Sequence, residues 1–75
     1  MNDDYNTLGD KVALNIKIER IRKSLTQEQL AFEADLDRGT ISKIETKKIS
    51  PTIKTLEKIA KALDIETEVL LGCKK

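Results

Sequence analysis

The chain has 75 residues, 36% of them charged and 3% aromatic, and a formal net charge of +1. That length holds one small domain with a modest core, which must be built from Leu, Ile, Val and Ala, yet the composition is too apolar for a disordered chain. The near-neutral charge excludes a bulk polycation, so a nucleic-acid partner requires the positive charge to be segregated onto one face.

Histidine is absent, which removes His-based catalysis and His-ligated metal sites. The single cysteine, Cys73, has no partner for an internal disulfide, and a reducing cytoplasm fits best. No apolar stretch approaches the ~20 residues of a membrane span, and the acidic start is not a signal peptide. A cytoplasmic protein is expected. The carboxylates fall in no recognisable catalytic motif, and neither a phosphate-binding glycine loop nor a zinc-ligand set is present. No enzyme activity, metal or cofactor is expected.

Residues 1–9 read as a short polar tail, residues 10–72 as one domain and residues 73–75 as a second tail. Asp10 is placed to cap a first helix running to about Lys23, with Val12, Ala13, Ile16 and Arg20 on one stripe and Ile18 and Ile21 on a second edge. Ser24-Leu25 is a tight connector. Thr26 followed by Gln29 is a capping-box pattern that starts a second helix at Gln27, running to about Ala34 with Leu30, Ala31 and Ala34 inward. After the turn at Asp35-Leu36, Asp37 caps a third helix, Arg38 to Glu45, whose Ile41 and Ile44 face the core. Thr46 to Ser50 is a basic loop. Ser50-Pro51 opens a fourth helix with Pro at its first position and a buried stripe of Ile53, Leu56, Ile59, Ala60 and Leu63. A short fifth helix from about Thr67 to Leu71 stops at Gly72. The expected fold class is all-α, with helices 2 and 3 forming a helix-turn-helix.

Several blocks carry a resemblance. Leu25-Thr26-Gln27-Glu28-Gln29-Leu30-Ala31 resembles the opening of the helix-turn-helix in the lambda-repressor-like, or Cro/Xre, family. Ile41-Ser42-Lys43-Ile44-Glu45 resembles that family's recognition helix. Ser50-Pro51-Thr52 with Leu56, Ile59, Ala60, Ala62 and Leu63 is similar to its fourth helix, and Ile65 with Val69-Leu70-Leu71 to its fifth. Leu36-Asp37-Arg38 and Thr40-Ile41-Ser42 are similar to controller proteins of restriction-modification systems, and small phage repressors and antitoxins share much of the pattern. Three positions depart from it. Asp35 stands where Gly is usual, Glu19 stands at an apolar position for which Ile18 or Ile21 is expected to substitute, and Gly39 takes a position where a side chain often reads a base.

The resemblance implies a five-helix lambda-repressor-like domain and a sequence-specific transcriptional regulator, repressor or controller, acting as a homodimer on a pseudo-palindromic operator in double-stranded DNA. A toxin or another regulatory protein is a further partner class the pattern admits. In this docking mode the start of the recognition helix reaches base edges in the major groove. Arg38, Gly39, Ser42 and Lys43 are the expected base-facing residues, Arg38 first because guanidinium pairs bidentately with guanine. Gln27, Thr40, Thr46, Lys47, Lys48 and Ser50 are the expected backbone contacts. From Asp37 to Lys54, five basic residues face two acidic ones, a local excess of +3. The family pattern pairs Arg20 with Glu45 as a structural ion pair. Ile65, Thr67, Val69 and Leu70 are the expected dimer interface.

Overall fold

A computed structural model describes residues 8–72. The expected tail at 73–75, with Cys73, and all but the end of the tail at 1–9 lie outside the described residues. Among the described residues there are five helices and no strand: α1 (Leu8–Arg22), α2 (Gln27–Glu33), α3 (Arg38–Glu45), α4 (Ile53–Leu63) and α5 (Thr67–Leu70). α2 packs on α3 and α4, α5 packs on α4, and α1 closes over α3, α4 and α5.

The core is aliphatic. Val12 and Ile16 from α1 share one buried cluster with Leu30 and Ala31 from α2, Ala34 just after it, and Ile41 and Ile44 from α3, and Ala13 is buried on α1 as well. Leu56, Ile59, Ala60 and Leu63 from α4 and Leu70 from α5 complete it. Phe32 takes no part, being 82% exposed on the outer side of α2.

Local chemistry explains where the helices start. Thr26 Oγ1 accepts from the Gln29 N–H at 3.0 Å, and Gln29 Oε1 accepts from the Thr26 N–H at 2.8 Å, closing the capping box of α2. Asp37 occupies the N-cap of α3 but makes no side-chain cap bond. α4 begins later than an opening at Ser50-Pro51 would place it. Thr52 is its N-cap, because its hydroxyl accepts from the Thr55 N–H at 3.1 Å, and Pro51 lies ahead of the helix. Asp10 lies inside the first turn of α1 and is not its cap. An acid within the first turn still meets the positive end of the helix dipole, so its position marks the neighbourhood of the start and not the cap itself.

Two apolar assignments are corrected. Ile53, in the first turn of α4, lies beyond the end of the core and is 67% exposed. Ile18 and Ile21 do not replace the missing apolar residue at position 19, being 41% and 57% exposed. Glu19 fills that position itself: its side chain is 13% exposed and accepts from Arg22 Nη1 at 3.2 Å. The stem packs while the carboxylate reaches a surface partner, so α1 need not rotate.

The helix ends follow one rule. Ser24, Asp35 and Asp64 each have φ 59°, and Lys47 has φ 67°. After each, the chain donates back to the helix it has left. Leu25 N–H bonds Arg20 C=O (3.0 Å), Leu36 bonds Ala31 (2.8 Å), Lys48 bonds Lys43 (2.8 Å) and Ile65 bonds Ala60 (3.0 Å). This left-handed stop satisfies orphan carbonyls, and an apolar residue commonly follows it. Here Leu25, Leu36 and Ile65 follow, and each packs against the core. None of the four stops uses glycine, although L-residues pay a steric penalty there. Ser24→Gly should therefore raise unfolding free energy by about 1 kcal/mol, and Asp35→Gly by less, since Asp tolerates this backbone better. Urea denaturation midpoints check this; an unchanged or lower midpoint for Ser24→Gly would show that the serine conformation is not costly.

Candidate nucleic-acid interface

The placement of α3 rests on one half-buried polar cluster. Arg20, in the last turn of α1, donates from Nε to Glu45 Oε2 at 2.7 Å and from Nη2 to Glu45 Oε1 at 3.0 Å. This is the bidentate geometry in which guanidinium and carboxylate bind most strongly. Arg20 Nη1 also donates to the Leu25 carbonyl at 2.8 Å. Gln27 Nε2 donates to Glu45 Oε1 at 3.1 Å. One guanidinium thus ties the end of α1, the connector before α2 and the end of α3, and Gln27 adds the start of α2. The Arg20 and Glu45 side chains are 12% and 3% exposed. The hydrogen bonds that it donates to Glu45, opposed by burial and aided by the carboxylate's charge, raise the Arg20 guanidinium above its ordinary value, so it stays charged throughout any usable pH range.

With Ile41 and Ile44 buried, the opposite side of α3 faces outward. At 3.6 residues per turn, Gly39, Ser42, Lys43 and Thr46 fall on one stripe at i, i+3, i+4 and i+7. Gly39, Lys43 and Thr46 are exposed and Ser42 is half-buried. Arg38 and Thr40 flank the stripe, the first exposed and the second half-buried. The loop then carries Lys47, Lys48 and Ser50 along the same end of the molecule, all exposed. Glu45, one of the two acids in this segment, is neutralised internally by Arg20. What remains outward is positive apart from Asp37.

Thr46 and Gln27, both expected backbone contacts, make side-chain hydrogen bonds within the molecule. Thr46 donates its hydroxyl proton to the Ser42 carbonyl at 2.8 Å, so a phosphate would have to compete for it. Gln27 commits one amide N–H to Glu45, which leaves its second N–H for an outside acceptor.

The residues expected to form a dimer interface divide. Leu70 is fully buried in the core of its own chain and is not available to a partner. Its aliphatic side chain closes the core where α5 meets α1 and α4, and Asn15 Nδ2 holds its carbonyl at 3.0 Å. Ile65 is half-buried and packs on the core, while Thr67 and Val69 keep part of their surface outward. Sequence reasoning misses the roles of Gln27 in the ion-pair cluster and of Asn15 under α5. Neither leaves a local signal, because both bonds join residues far apart in sequence. Among the described residues no cluster of potential metal ligands occurs, and no helix is long and apolar enough to cross a membrane.

Two short helices joined by a tight turn, the second held with a polar, basic stripe outward, define a helix-turn-helix protein. A family model described as helix-turn-helix, HTH_3, matches residues 16–70, and the chain belongs to that family. It is 39% identical over 61 residues to the immunity repressor protein of Bacillus phage phi105, a match covering 81% of this chain and 42% of the repressor. The chain thus spans less than half of that relative's length. It is 43% identical over 58 residues to the control protein C.BamHI of Bacillus amyloliquefaciens, covering 73% of this chain and 72% of that one. Its fold is similar to the crystal structure of the restriction-modification controller protein C.Esp1396I, with a TM-score of 0.82 and 42% identity over 89% of this chain and 87% of the other.

The ion-pair cluster makes a direct prediction. Glu45→Ala leaves a guanidinium in a poorly solvated site and should cost about 3 kcal/mol of unfolding free energy, whereas Arg20→Leu with Glu45→Leu should recover much of that loss. Equilibrium denaturation of the two variants decides it; a cost of under about 1 kcal/mol for Glu45→Ala would mean that the pair behaves as an exposed one.

Proposed function

We propose that the chain is a sequence-specific, DNA-binding transcriptional regulator, a repressor or controller, that acts as a homodimer on a pseudo-palindromic operator. The observation that carries this reading is the outward stripe of α3, held by the Arg20–Glu45–Gln27 cluster and continued by the Lys47–Lys48 loop. α3 enters the major groove with Arg38, Gly39, Ser42 and Lys43 toward base edges. Gln27, Thr40, Thr46, Lys47, Lys48 and Ser50 surround it at the phosphates. The relatives named as repressor and control proteins support the same class. One such helix reads only a few base pairs. Two copies related by a two-fold axis would present recognition helices one DNA turn apart, ~34 Å, and so read two half-sites.

The test is selection of duplexes from a randomised pool, followed by binding across a salt series. Arg38→Ala should cost about 1–3 kcal/mol on the selected duplex and relax the preference at one position of each half-site. Lys47→Ala should weaken selected and unrelated DNA alike and lower the log–log salt slope by ~0.9 for each phosphate left without its lysine. Equal affinity of the wild-type protein for every duplex would overturn the reading.

The dimer has its own test. Thr67 and Val69, with the outer part of Ile65, are the surface offered to a second copy. Val69→Asp should shift the protein toward monomer in sedimentation at micromolar concentration without unfolding it, because Val69 is only half-buried. A wild-type protein that sediments as a monomer even on operator DNA would contradict the palindrome model.

A further inference from the structure

Gly39, in α3, is a glycine that nothing inside the molecule requires. It lies in the first turn of a regular helix, and its φ is not in the left-handed region that favours glycine. A Cβ built on it meets no atom within 4 Å, so packing does not require its absence either. Glycine also lowers helix propensity relative to alanine. The Asp37 side chain makes no cap bond that would strengthen this first turn. The fold therefore bears a cost at position 39 that alanine would remove without a clash.

The position is not arbitrary. Gly39 heads the outward stripe completed by Ser42, Lys43 and Thr46, at the end of the helix that lies deepest in the groove in this docking mode. An α-helix has its Cα atoms at a radius of ~2.3 Å, whereas side chains bring the whole cylinder to ~10–12 Å across. The major groove is ~12 Å wide. A helix of full width fills it, and a missing side chain at the leading end of the facing stripe lets the backbone descend further.

We propose that the absence of a side chain at Gly39 is a specificity-determining feature of the DNA interface, admitting the backbone of residues 38–40 to close contact with base edges and setting the depth from which Arg38 and Lys43 reach their bases. The inference rests on the DNA-binding reading above and names how that site is tuned. Close approach is needed only on a matched sequence. Non-specific binding is carried by phosphate charge and tolerates a looser seat.

Gly39→Ala separates stability from function. Its thermal midpoint should rise by about 3 °C. Its affinity for the duplex selected by the wild-type protein should fall on the order of tenfold, comparable to the effect of one mismatched base. Its affinity for an unrelated duplex of the same length, and the salt slope, should stay within about twofold of wild type, because every lysine that meets a phosphate is still in place. A Gly39→Ala protein that binds the selected duplex as tightly as wild type, or tighter, overturns the inference while leaving the DNA-binding reading intact. An equal fall on both duplexes also overturns it, since it would place the residue at the phosphates. A wild-type protein with no preferred duplex removes both together.

Discussion

The Arg20–Glu45 contact is the constraint on which the rest of this molecule depends. A helix of eight residues cannot hold its own orientation, because it is shorter than the length at which isolated helices become stable. Ile41 and Ile44 fix which side of α3 faces inward, but two aliphatic side chains leave its tilt and register free to slide. A planar guanidinium with two donors on one carboxylate does not slide. Because the same guanidinium also holds the Leu25 carbonyl, the angle between α1, α2 and α3 is set at a single point. Gln27 joins the cluster from α2, so the helix-turn-helix is cross-linked at the end opposite its turn.

The second constraint lies in the connectors. Four helices stop on a left-handed residue other than glycine, and three of these stops direct the next residue into the core. Tight stops of this kind leave little freedom between helices, which suits a 75-residue chain with an aliphatic core. The third stop differs. Lys47 takes the left-handed position and Lys48, not an apolar residue, follows it. The same geometry that elsewhere buries a leucine or isoleucine here presents two lysines beside the outward stripe of α3. A helix end and part of the proposed DNA surface are thus one piece of backbone.

Much of the fold was legible in short-range pattern. Capping signals and aliphatic spacing placed α2 and α3 closely, and the turn at Asp35 was readable because Asp accepts φ > 0. Elsewhere a local signal had a rival one or two residues away. Thr52 outcompetes Ser50-Pro51 for the start of α4 because its hydroxyl has the Thr55 N–H to accept from. Ile53 satisfies the helical spacing but lies past the end of the core, and spacing carries no information about where a core ends. The burial of Glu19 was unreadable for a related reason. Its stem packs like an apolar side chain while Arg22 takes its charge, and composition alone assigns a glutamate to solvent.

The sequence by itself determined the helices, the aliphatic stripes, the resemblance to a DNA-binding family and the residue types on the candidate reading face. These follow from interactions a few residues apart, namely caps, i to i+4 periodicity and turn preferences, which any window of sequence contains. Only the tertiary structure decided that Gln27 shares the carboxylate of Glu45, that Leu70 belongs to the core of its own chain and not to a partner, and that the space above Gly39 is empty. Each of these depends on which helix passes beside which, and that arrangement is settled by packing between residues distant in the chain.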